Sequence, residues 1–88
     1  MLLENGSHLQ LTKTEFDLFA YLARRLQQAV SHATLLEEVM GYRGDIETKA
    51  LIMHIANIRR KLVASQVRDV KVETVAGFGY KLVSLPAG

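Results

Sequence analysis

Two neighbouring stretches decide the fold: TKALIMHIANIRRKL at residues 48–62 and VKVETVAGFGYKLV at residues 70–83. In the first, Leu51, Ile55, Ile58 and Leu62 recur at intervals of four, three and four. That spacing predicts a helix from about Thr48 to Ala64 with one buried stripe, while Lys49, Met53, Asn57, Arg60 and Lys61 project from the opposite half. The second stretch predicts strands at Val70 to Val75 and Tyr80 to Val83, turning on Gly77-Phe78-Gly79. Arg59, Arg60 and Lys61 taken alone complement the dipole of a helix C-terminus as readily as they meet a partner.

The hairpin directly behind the helix favours the partner. A helix buried on one side and polar to basic on the other, followed at once by a two-stranded hairpin, reads as a winged helix, a unit that most often meets duplex DNA.

Composition sets the outer bounds. The chain has 88 residues, 49% of them hydrophobic and 23% charged, which suits one globular domain spanning residues 1–88. Eleven Lys and Arg against nine Asp and Glu give a net charge of only +2, so attraction to a polyanion must come from local clustering. The clustering is present. Lys49, Arg59, Arg60, Lys61, Arg68, Lys71 and Lys81 face only Asp69 and Glu73 in the same stretch, whereas Glu37, Glu38, Asp45 and Glu47 gather just before it. With no cysteine there is neither a disulfide nor a thiolate metal site, and no metal or cofactor is expected. No apolar run is long enough to span a membrane and no signal-peptide pattern opens the chain, so no membrane partner is expected and a cytoplasmic location is.

The rest of the chain reads as support. Asn5-Gly6 suits a tight turn between 2–4 and 7–11, predicting a small N-terminal β-hairpin. Thr12-Lys13-Thr14-Glu15 is a capping box opening a first helix to about Leu26, with Phe16, Phe19, Ala20, Leu22 and Ala23 on its buried side. Ser31 is placed to cap a second helix with Leu35, Leu36 and Val39 inside, ended by Gly41. The architecture expected is α+β: a winged helix-turn-helix of three helices, with an N-terminal β-hairpin and a C-terminal β-hairpin wing.

These segments resemble the DNA-binding effector domain of OmpR/PhoB-type bacterial response regulators. LTKTEFDLFAYLA, VSHATLLEEVMG, KALIMHIANIRRKL and ETVAGFGYKL stand in that family's order and spacing across nearly the whole chain. The resemblance implies a third helix in the major groove and a wing near the adjacent minor groove. It also implies tandem DNA half-sites, possible contact with RNA polymerase, and a receiver domain in the full-length protein that is absent from this chain. Carried over residue by residue, it makes Lys49, His54, Arg59 and Thr74 phosphate contacts. Ala50, Met53 and Asn57 become candidates for base readout, Asn57 through paired bonds to adenine and the other two against a thymine methyl. Arg60, Lys61, Lys71 and Lys81 are further basic candidates facing DNA, with one of the last two expected in solvent, and Tyr42, Arg43 and Asp45 are candidates for touching polymerase.

The departures from the family pattern bear on specificity. Ala56 and Asn57 stand where some members carry two arginines, Ile52 where an Asp is common, Met40 at a frequent Trp, and Ala76 where an Arg often reaches the minor groove. Ile52 is open at this point: its side chain either lies partly buried or joins the groove-reading face. Gly77 and Gly79 are expected to serve backbone turning, because no helix follows them as in a nucleotide loop. Catalysis is not expected, since His8, His32 and His54 fall in three different elements and no paired-carboxylate or nucleophile motif occurs. The rival to DNA binding is a winged helix that binds protein.

Overall fold

The computed structural model describes residues 9–41 and 48–86. Six elements follow in order: α1 (Lys13–Arg24), β1 (Val30–Ser31), α2 (His32–Glu38), α3 (Thr48–Ala64), β2 (Val70–Val75) and β3 (Gly79–Ser84). The three helices and the antiparallel sheet enclose one core built from Leu18 and Leu22 of α1, Leu35 and Leu36 of α2, the α3 stripe, and Val72, Tyr80 and Leu82 of the sheet. Every stripe residue read from the sequence, Leu51, Ile55, Ile58 and Leu62, is buried.

The caps form as their chemistry requires. Thr12 Oγ1 accepts from the Glu15 amide at 3.2 Å and Glu15 Oε1 accepts from the Thr12 amide at 3.0 Å, closing the box at the start of α1. Ser31 Oγ accepts from the Thr34 amide at 3.0 Å and starts α2, and Gly41, at φ +75°, turns the chain after it. The third helix ends through Gln66, a residue with φ +58°, with the Val67 amide donating to the Leu62 carbonyl.

The first helix differs from the expectation. It ends at Arg24 rather than near Leu26, and its buried side is Glu15, Leu18, Phe19 and Leu22. Phe16 is 45% exposed, and Ala20 and Ala23 are not buried. At about 100° per residue these three point roughly opposite to Leu18, so they cannot share its face. The expected hairpin around Asn5-Gly6 falls on residues 1–8, outside the described residues. Residues 9–11, expected in its second strand, form no strand, and Leu9 is a fully buried member of the core.

The wing is also larger than a hairpin. The two-residue strand β1 pairs with β3, Val30 opposite Tyr80 and Ser31 opposite Gly79, giving a three-stranded sheet of order β1-β3-β2. Gln27 sets this up: in a left-handed conformation at φ +69°, it donates its amide to the Leu82 carbonyl and accepts from the Ser84 amide through Oε1. Gly77, at φ +71°, makes the turn as expected. Gly79 has a different purpose: a Cβ there would lie 1.9 Å from the Val30 carbonyl oxygen, so glycine is what lets β1 approach.

Candidate nucleic-acid interface

The third helix is held on both flanks and open between them. At about 100° per residue, positions seven apart nearly coincide, so Ile52 and Arg59 share one flank, His54 and Lys61 share the other, and Lys49, Met53, Ala56 and Arg60 face outward between the two.

The wing flank is tied by Arg59. Its Nε donates to the Val72 carbonyl at 3.0 Å and its Nη2 to Thr74 Oγ1 at 2.8 Å, while the guanidinium carbon sits 5.8 Å from the Tyr80 ring centroid. β2 is an edge strand, and the planar fork satisfies two acceptors along it at once. Tyr80 is buried in the core, and His32 meets its ring edge-on at 5.4 Å.

The α1 flank is tied by Lys61, whose Nζ lies 2.6 Å from Glu15 Oε1. Glu15 is only 2% exposed, and the same oxygen takes the Thr12 amide, so the carboxylate that closes the capping box also docks α3 on α1. Burial pushes the Glu15 carboxyl upward. The Lys61 hydrogen bond, the Thr12 amide and the charges of Lys61 and His54 outweigh that, and the net pKa lies below the ordinary glutamate value. Lys61, expected among the cations facing DNA, is paired with Glu15 in the structure, because a buried carboxylate without a counter-charge is costly.

The outward face carries the remaining candidates. Lys49, Met53, Ala56 and Arg60 are exposed, Met53 at 65%, and Ile52 is 50% exposed, which decides its open placement in favour of the surface. Ala50, His54 and Asn57 are half-buried on the shoulders, and Asn57 Oδ1 accepts from Arg60 Nη2 at 3.0 Å. Thr74 is exposed on the wing, together with Ala76 and Phe78. Lys71 and Lys81 both lean on Glu73, at 3.5 and 4.0 Å, and Lys71 keeps the more exposed side chain of the two. Tyr42, Arg43 and Asp45 lie outside the described residues, and Met40 packs half-buried against the core.

Reading by sequence missed two participants, Glu15 as an ion-pair partner and the Val72 carbonyl. Glu15 was seen as a cap but not as the partner of Lys61, which is 46 residues away and has no local signal. The exposure of Ala56 and Ile52 follows from the helical wheel once the buried stripe is fixed. The Val72 carbonyl is backbone and leaves no trace in side-chain pattern. Among the described residues no group of three or more His, Cys, Asp or Glu is placed to hold a metal ion, and no helix is long and apolar enough to cross a membrane.

A helix pair with an outward, cation-bracketed α3 and a sheet-borne wing beside it defines a winged helix-turn-helix. The chain belongs to the family of C-terminal DNA-binding domains of OmpR/PhoB-type response regulators; the family model described as "Transcriptional regulatory protein, C terminal" matches residues 6–82. This is a class of transcriptional regulators rather than of enzymes. The chain is 40% identical over 77 residues to the DNA-binding response regulator MtrA of Mycobacterium leprae, covering 88% of this chain and 34% of the relative. It thus spans about a third of the length of the curated relatives it matches. Among solved structures it resembles the DNA-binding domain of CpxR from E. coli, with 40% identity and a TM-score of 0.75 over 93% of this chain and 80% of that one. The DNA-binding domain of Bacillus subtilis CssR is similar at 30% identity and a TM-score of 0.74, covering 90% and 84%.

Proposed function

We propose that this domain binds double-stranded DNA sequence-specifically, as the effector end of a bacterial two-component response regulator that controls transcription in the cytoplasm. The supporting observation is the division of labour on α3: Arg59 and Lys61 fasten its flanks, and the face between them, bracketed by Lys49 and Arg60, is left for a partner. That face enters the major groove, and the wing approaches the neighbouring minor groove.

Lys49, His54, Arg59 and Thr74 hold phosphates in this reading. Arg59 engages two of its five N–H donors within the domain, leaving three for a phosphate at the groove edge. Ala50, Met53 and Asn57 meet bases, and Arg60, Lys71 and Lys81 add charge. The domain works joined to a receiver domain, pairs on tandem half-sites about one helical turn apart, and touches RNA polymerase through Tyr42, Arg43 and Asp45. It carries out no catalysis and needs no cofactor.

Titration against random-sequence duplex tests the reading. Binding at low salt should weaken as salt rises, by about 0.9 logarithmic units per logarithmic unit of salt for each phosphate neutralised. Absence of binding at low salt would return the domain to the rival class, a winged helix that binds protein.

A further inference from the structure

On α3 an apolar strip runs from the Arg59 flank onto the outward face, between its cations. Ile52 and Met53 are 50% and 65% exposed, and Ala56, one turn on, is exposed too. Beside the strip on one shoulder are the half-buried His54 and Asn57, the latter with its Oδ1 already turned to Arg60. Cations mark both ends of the strip, Lys49 before it and Arg60 after it, neither with an ion-pair partner in the structure among the described residues.

An apolar strip between two cations fits a particular feature of duplex DNA. Phosphates at the groove edges meet the cations, and inside the major groove the apolar surface belongs chiefly to the C5-methyl group of thymine; the purine edges present N7, O6 and N6 groups. Isoleucine or methionine laid over those purine atoms removes their water without supplying a hydrogen bond, which is unfavourable. Laid over a methyl it buries apolar area on both sides. From Ile52 to Ala56 the helix axis advances about 6 Å, close to two base-pair steps, and the small side chain of Ala56 allows the groove floor to come near.

We propose that Ile52, Met53 and Ala56 form a methyl-reading strip, so that this domain selects its site through thymine C5-methyl groups, with arginine readout of guanine playing no part at these three positions. The proposal rests on the DNA-binding reading above and narrows it to one chemistry.

The test replaces thymine by deoxyuridine, which deletes the methyl and leaves pairing and every groove donor and acceptor in place. The preferred duplex is first obtained by binding selection, and each of its thymines is then exchanged singly. The wild-type domain should bind about four-fold more weakly at one to three positions, the factor carried by one buried methyl group. In the double variant Ile52→Ala/Met53→Ala, whose changes lie on exposed side chains, the thymine duplex should bind as weakly as the deoxyuridine duplex does to wild type. Further exchange should then cost nothing at the thymines under residues 52 and 53, a thymine under Ala56 should keep its effect, and the salt slope, which counts phosphates, should stay as in wild type. Equal binding of thymine and deoxyuridine duplexes by wild type overturns the strip, as does full discrimination retained by the double variant. Failure to bind any duplex at low salt is a different result, because it overturns the DNA-binding reading itself.

Discussion

Arg59 and Thr74, both expected to grip phosphate, hold each other: Nη2 donates to Oγ1 across 2.8 Å, joining α3 to the wing. With the bond from Nε to the Val72 carbonyl, this makes the angle between helix and wing a property of one guanidinium. Removing it should therefore act on two quantities. Arg59→Ala is expected to cost about 1–2 kcal/mol of stability, a little under a charged hydrogen bond made in full burial because Arg59 is half-exposed. It should also weaken all DNA sequences nearly alike and lower the salt slope by about one. Arg59→Lys, which keeps charge but not the fork, should recover the slope and not the stability. Urea unfolding and salt titration of both variants check this; a stability loss in neither would remove the wing-setting role.

Asn57 differs from Arg59 in kind. It stands about 200° from Arg59 around the helix, on the shoulder between the outward face and the α1 side. A carbonyl oxygen has two lone pairs, so Oδ1 can keep the Arg60 bond and still accept from adenine N6. Asn57→Ala should cost about 1–3 kcal/mol on the best site and relax preference at one base pair. Arg60→Ala, which frees the amide to rotate, should blunt the same preference by less. Unchanged base preference in folded Asn57→Ala protein would show that Asn57 reads no base.

Glu15 makes stability depend on acid. Its folded pKa is depressed, so its contribution is complete above the unfolded glutamate value of about 4.3 and is lost as pH falls through the lower, folded value. Glu15→Gln can still close the capping box but leaves Lys61 without its counter-charge. The stability difference between wild type and this variant should shrink toward zero below that window. A difference that stays constant from neutral pH down to acid unfolding would mean the pair contributes nothing. Combining Glu15→Gln with Lys61→Met should cost less than the sum of the single changes, since each alone removes one half of the same interaction.

The two wing glycines should respond differently to alanine. At Gly79 the new Cβ meets the Val30 carbonyl oxygen and the Ser31 Cα, backbone atoms that give way only if β1 separates from β3. A loss of about 2–4 kcal/mol is expected there. At Gly77 there is nothing within 4 Å of the new Cβ, and only the left-handed backbone resists, at about 1–2 kcal/mol. Gly77→Asn should be milder than Gly77→Ala, because asparagine tolerates that conformation. Equal losses at Gly77→Ala and Gly79→Ala in urea unfolding would contradict the separate roles.

What the sequence determined by itself is local. The four-three-four spacing of Leu51, Ile55, Ile58 and Leu62, the Thr12–Glu15 box and the Ser31 cap each act within one or two helical turns, and all three appear in the structure as read. The β2–β3 hairpin is likewise written in its alternating residues and its Gly77 turn. Tertiary structure decided what depends on residues far apart in the chain. Phe16 faces outward because the side of α1 that meets α3 is set by Leu18, Leu22 and Glu15 together. β1 exists because Gln27 and Gly79, 52 positions apart, bring a two-residue segment onto β3. The cations of α3 look alike in sequence, yet Lys61 is drawn to a buried carboxylate and Arg59 to an edge-strand carbonyl, while Lys49 and Arg60 remain outward. Charge and periodicity mark which residues can meet a partner; which of them are left to do so is fixed only when the buried acceptors of the fold have taken theirs.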